Sequence, residues 1–122
     1  MKQLLLVFIG GGTGSIFRYV ISKYLNDTTS VIPWGTLAAN VFGSLCIGII
    51  LGMITKNNLA SQHTTLLLST GFCGGLTTFS TFAYENHLFL KSGDFITFLL
   101  YTTGTFILGI CCVFLGMFLT NN

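Results

Sequence analysis

Gly71-Phe72-Cys73-Gly74-Gly75-Leu76-Thr77-Thr78-Phe79-Ser80-Thr81-Phe82-Ala83-Tyr84-Glu85 places glycines, hydroxyls and paired phenylalanines inside a stretch apolar enough to lie in lipid. Glycine lowers helix stability and permits unusual backbone angles, so Gly71, Gly74 and Gly75 predict a break near the middle of this span. Breaking a helix in a bilayer frees carbonyls that need partners. A cation shared by paired subunits is one solution; a kink or close crossing without any ion is the other. After the break, at about 100° per residue, Thr77, Ser80, Thr81 and Tyr84 fall on one arc, with Thr78 and Glu85 at its edge. Phe79 and Phe82 project from a neighbouring face. They read either as lipid contact or as ring edges, whose partial positive charge attracts an anion while excluding water. Hydroxyl donors beside such rings suit a small anion better than a cation.

Working outward, the chain has 122 residues, 52% apolar and only 7% charged, with a mean hydropathy of +0.81. A soluble domain this small needs far more polar surface, so the expected class is an all-α integral membrane protein. Apolar stretches of about 20 residues, enough to cross a bilayer as helices, cover roughly residues 4–24, 34–55, 64–90 and 95–119. They make residues 1–122 a single four-span membrane domain, with the third helix broken. Met1-Lys2 and the following apolar run lack a small-residue cleavage site, so the first span is expected to be retained. No soluble domain, charge run or basic patch points to catalysis in water or to nucleic acid.

The positive charges divide almost evenly between the two sides: Lys2 and Lys56 on one, Arg18, Lys23 and Lys91 on the other. Orientation follows an excess of Lys and Arg on the cytoplasmic side, so a chain without that bias is free to insert either way. Four helices rarely enclose a polar path alone. If both orientations occur, the simplest closed assembly is an antiparallel, dual-topology homodimer with its axis in the membrane plane.

The remaining polar features are sparse. Gly10-Gly11-Gly12-Thr13-Gly14-Ser15 offers a small-residue surface for close helix approach, and without a preceding strand it is no nucleotide fingerprint. Arg18 reads as an interfacial anchor or as a cation at a pore mouth. Pro33-Trp34 suits a helix start at the interface, and Asn40, deeper in the span, is either interhelical glue or a donor to a passing anion. Glu85 is expected near the far interface at the end of the hydroxyl ladder, either solvated, capping a neighbour, or bonded to a hydroxyl or backbone donor. In the fourth span Tyr101 and Thr105 offer polar groups at helical spacing. Cys46, Cys73, Cys111 and Cys112 have no metal-like spacing with His63 or His87, and no nucleophile pairs with a base.

With these residues in view, the sequence resembles the Fluc/CrcB family of bacterial fluoride channels over nearly its whole length. The resemblance rests on Gly11 to Ser15 with Arg18-Tyr19, on Pro33-Trp34-Gly35-Thr36-Leu37-Ala38-Ala39-Asn40, and above all on Gly71 to Glu85. It implies a passive, fluoride-selective channel and not an enzyme: an antiparallel homodimer in the bacterial cytoplasmic membrane, with two fluoride pathways and a structural sodium ion at the dimer centre. By resemblance, Asn40, Phe79, Ser80, Thr81, Phe82 and Tyr101 line the ion pathway, and the Gly74 and Thr77 carbonyls hold the sodium. Arg18 and Glu85 are then candidates for the pore mouth. The rival reading is a small dual-topology, proton-coupled multidrug or cation exporter. That chemistry needs a membrane-embedded carboxylate, and Asp27, Glu85 and Asp94 all fall away from span centres.

Overall fold

The computed structural model describes residues 1–57 and 61–121, and the described residues are helical apart from short connections. Helix α1 runs Lys2–Leu25 and α2 runs Trp34–Asn57. Helix α3 covers residues 62–76, α4 runs Phe79–Ser92, and α5 runs Phe95–Asn121. Among the described residues, four helical stretches are long and apolar enough to cross a membrane: Lys2–Leu25, Trp34–Lys56, Gln62–Ser92 and Phe95–Asn121. The third is α3 and α4 together, interrupted at Thr77 and Thr78.

Local chemistry accounts for the helix ends. Asp27 organises the first connection by accepting from the Thr29 amide at 3.2 Å and its hydroxyl at 2.8 Å. Those bonds hold its carboxyl below the ordinary carboxylate range. Pro33 precedes α2, where its missing N–H costs nothing, and the Asn26 side chain accepts from the Gly35 amide at 2.7 Å. Between α4 and α5, Gly93 adopts φ 77°, and the amides of Gly93 and Asp94 donate back to Leu90 and Phe89. This left-handed cap turns the chain within two residues. Asp94 then caps α5, its carboxylate accepting from the Thr97 amide at 3.1 Å.

Packing follows small residues. The only buried residues of α1 are Gly10 and Gly14. A methyl group on Gly10 would lie 2.9 Å from the Phe72 amide nitrogen, and one on Gly14 would lie 2.8 Å from that of Leu76. Gly71 and Gly75 approach Gly10 and Gly11 just as closely from the other side. The expected close-approach surface of the first span is therefore real, and it grips α3. Within α3, Leu66–Cys73 is wound as a π-helix, with the Gly74 amide reaching back five residues to Ser69. Such a wide turn moves the following residues off the face that an α-helix would give them. On the opposite side α2 and α5 interlock, a methyl on Gly116 falling 2.6 Å from the Leu45 carbonyl oxygen.

Burial is arranged for lipid. Phe8, Leu100, Phe114 and Leu119 are exposed, whereas the buried set includes Thr36, Ala39, Leu76, Thr78, Phe82, Asn86 and Tyr101. Polar groups gather inside, around the interruption of the third span.

Candidate functional site

The interruption is two residues long. Thr77 (φ −79°, ψ 153°) and Thr78 (φ −146°, ψ 119°) are extended, so α3 stops at Leu76 and α4 restarts at Phe79. The break falls just beyond the glycines. Gly71, Gly74 and Gly75 keep negative φ, and Gly71 and Gly75 serve contact with α1. Extended backbone at Thr77 also takes that residue off the arc that regular helical spacing predicts.

Every polar group freed here must be satisfied, since lipid offers no partner. Thr77 turns its amide and its hydroxyl back to the Cys73 carbonyl at 3.0 and 2.9 Å. Its carbonyl accepts from Arg18 Nη1 at 3.2 Å. The Thr78 amide donates to Asn40 Oδ1 at 2.7 Å, and the Thr78 carbonyl accepts from Asn40 Nδ2 at 3.2 Å. Thr78 Oγ1 caps α4 by accepting from the Thr81 amide at 3.3 Å, and its proton goes to Thr81 Oγ1 at 3.2 Å. A pair of side chains from α1 and α2 thus replaces the missing helical turn. Asn40 clamps the backbone of Thr78 from both sides. Arg18 reaches the break itself through its bond to the Thr77 carbonyl.

The restart has an electrostatic consequence. The N-terminus of a 14-residue helix carries partial positive charge and unpaired amides, and here it lies within a membrane span. Phe79, Ser80 and Thr81, at that terminus, are all exposed in the single chain. Phe79 borders a groove of about 600 Å³, also lined by Asn40, Gly74, Thr77, Thr78 and Phe82, whereas Ser80 and Thr81 stand outside its wall.

Deeper along α4, Glu85 is tied down at both oxygens. Thr36 Oγ1 donates to Oε1 and Tyr101 OH to Oε2, each at 2.6 Å. Of the settings expected for Glu85, solvation, capping a neighbour, or bonding to a hydroxyl or backbone donor, the structure shows hydroxyl bonds, which hold it between α2 and α5. It lines a smaller cavity of about 210 Å³ with Asn26, Asp27, Ser30 and Phe89, beside the α1–α2 connection. The two cavities share no lining residue. Aromatic rings connect them: Phe82 packs on Tyr101 at 5.3 Å, on Phe79 at 6.0 Å, and edge-on against Phe106 at 5.9 Å. Phe82 is 6% exposed and Phe79 74%, so the two phenylalanines occupy different settings.

The structure therefore brings together Asn40, Thr77, Phe79 and Phe82 around the groove, joins Ser80 and Thr81 to it only through Thr78 Oγ1, and links Phe82 through Tyr101 to Glu85. Sequence reasoning overlooked Thr36, which is fully buried on Glu85. Its signal was the four-residue spacing to Asn40, which puts both on one face of α2. Asn86 and Thr102, bonded to each other at 2.8 Å, were also missed. Cys73 is buried as a small apolar group, and among the described residues no three His, Cys, Asp or Glu side chains converge to hold a metal.

A cation at the break would depend on carbonyls instead. The amide that would close on Gly74, that of Thr78, is diverted to Asn40. The Thr77 carbonyl retains a second lone pair beside its bond to Arg18. Gly74 faces open space, with nothing within 4 Å of where its Cβ would lie. Neutral carbonyl oxygens of this kind are the donor type that a hard monovalent ion takes.

Comparison with known proteins agrees along the whole chain. The family described as CrcB-like protein, Camphor Resistance (CrcB) matches residues 5–117. A protein of Phocaeicola vulgatus named fluoride-specific ion channel FluC is 44% identical, over 99% of this chain and 100% of its own. Proteins of the same name from Gloeothece citriformis and from Leptospira interrogans serovar copenhageni are 42% and 43% identical, each alignment covering at least 96% of both chains.

Proposed function

This chain belongs to the CrcB family, and we propose that it is a multi-pass bacterial membrane protein that conducts fluoride passively out of the cytoplasm. The observation that carries the reading is the line of contacts from Glu85, at the small cavity, through Tyr101 and Phe82 to the groove at the N-terminus of α4, which we take as the ion's route. Hydroxyl and amide donors, ring edges and a positive helix end line that route. The relatives it matches over full length are named as fluoride channels.

The physics needs no pump. Hydrogen fluoride is a neutral weak acid that crosses lipid and ionises in a less acidic cytoplasm, where the anion is trapped. A negative-inside potential drives an anion outward by about 2.3 kcal/mol per 100 mV. A selective leak therefore suffices for export. It must be narrow, because a general anion leak would collapse the potential; stripping water from the ion against fixed hydroxyl donors favours the smallest halide.

In this reading Asn40, Phe79, Ser80, Thr81, Phe82 and Tyr101 form the pathway. Glu85, with both oxygens already accepting, orders Thr36 and Tyr101 at its mouth, and Arg18 adds positive charge at the break. The working unit is an antiparallel homodimer. Support comes from the start of α4 within a membrane span, where Phe79, Ser80 and Thr81 are exposed in one chain and a second copy would cover them. Two copies give two pathways, and the Gly74 and Thr77 carbonyls of both would hold a sodium ion that neutralises and cements the paired breaks.

Purified protein in liposomes is expected to release fluoride down its gradient without added protons or counter-substrate, and to release chloride hardly at all. Equal fluxes of the two halides would sink the proposal. Fluoride movement strictly coupled to protons would favour a transporter built on Glu85 instead.

A further inference from the structure

Two consecutive pairs tie α4 to α5. Glu85 accepts from Tyr101, and the next residue along each helix repeats the pattern, Asn86 Oδ1 accepting from Thr102 Oγ1 at 2.8 Å. The first pair lies on the route described above. The second borders neither cavity. Asn86 is nonetheless 7% exposed, and its Nδ2 donates to the Phe82 carbonyl at 3.0 Å. A buried amide within a span is thus occupied at both ends, off the walls of both cavities.

An apolar side chain would fill that position without the cost of desolvating an amide. What the amide adds is direction. The Gly93-Asp94 turn fixes where α4 and α5 join but not how each is rotated about its axis. A rotation of α4 by one residue, about 100°, would leave Asn86 and Thr102 unpaired in the bilayer. A lone buried asparagine is known to fix helix register in this way. The bond from Asn86 to the Phe82 carbonyl ties it to the same turn of α4 that carries Phe82 and Glu85.

We propose that the Asn86–Thr102 bond is a positioning device, setting the rotation of α4 on α5 so that Glu85 meets the Tyr101 hydroxyl and Phe82 meets the Tyr101 ring. The inference deepens the channel reading and rests on it. Both residues act through Glu85, Phe82 and Tyr101 and touch no ion.

The test compares Thr102→Val, Asn86→Leu, the double variant and Thr102→Ser. Fluoride efflux from liposomes is read beside thermal stability and the 19F resonance of a ring-fluorinated Tyr101. Each single apolar variant should slow efflux about fivefold, the factor that one buried hydrogen bond commonly carries. Thr102→Ser should restore it. The double variant leaves no partner unsatisfied, so it should regain stability while efflux stays slow and the 19F resonance stays displaced. Recovery of efflux together with stability would show that the pair merely holds helices together, and would overturn the inference. An unmoved 19F resonance in Thr102→Val would overturn it equally. Should the wild type pass no fluoride, the channel reading fails by itself, and the resonance still decides whether the pair positions Tyr101.

Discussion

Replacing Asn40 by leucine tests whether the break is held by that side chain. The substitution keeps the volume but removes two bonds, from the Thr78 amide at 2.7 Å and to the Thr78 carbonyl at 3.2 Å. A buried donor or acceptor left alone costs about 1–3 kcal/mol. Two such groups would cost about 2–6 kcal/mol in dry surroundings. They border an open groove that admits water, so the lower end applies, about 2 kcal/mol or some thirtyfold in the population of the ordered break. Hydrogen exchange at Thr78, followed by mass spectrometry on the segment 71–85, should accelerate by that factor, and fluoride efflux should fall in parallel. Asn40→Asp retains the acceptor for the Thr78 amide but loses the donor to the carbonyl, and should protect the amide better than leucine does. Exchange and efflux both within about twofold of wild type would show that the break stands without Asn40.

Three other outcomes are expected. Gly75→Ala places a methyl 3.0 Å from the Gly11 carbonyl carbon, and overpacking of about 1–3 kcal/mol should outweigh the helix gain of about 1 kcal/mol, lowering the unfolding temperature in micelles; Gly12→Ala, which meets nothing within 4 Å, should not. Phe79→Ile and Phe82→Ile should each depress fluoride efflux about tenfold or more with the dimer still eluting intact, and wild-type efflux would return the rings to packing. Exchanging sodium for a much larger monovalent cation during purification should weaken assembly or activity, and an unchanged dimer would argue against the carbonyl site at Gly74 and Thr77.

The fold was largely legible in the sequence because membrane spans are written in long apolar runs, and the interruption of the third because glycines and hydroxyls are costly there. Its position was less legible. Two of the three glycines that signalled a break, Gly71 and Gly75, serve contact with α1, and the chain departs from helix at Thr77 and Thr78, where Arg18 and Asn40 supply partners from far away in sequence. Composition cannot show that a residue 59 positions distant will donate to a particular carbonyl. The partners of Glu85 were hidden for a similar reason: a bond to some hydroxyl was foreseeable, but not that Thr36 and Tyr101 on two other helices would supply it. Asn86 and Thr102 carried no signal, since a single amide and a single hydroxyl on separate helices acquire meaning only once the Gly93 turn brings them face to face.

The interrupted span also bears on the order in which the protein is made. Both side chains that complete the break, Arg18 and Asn40, precede it in the chain, so a ribosome delivers them to the membrane before Thr77 and Thr78 arrive. The exposed backbone need never wait in lipid for its partners. A rearranged gene that moved α1 and α2 behind α5 would encode the same contacts but reverse that schedule. Synthesis would then present an unsupported break to the insertion machinery, and the cost would appear as lost yield during biogenesis, even if the finished protein were equally stable.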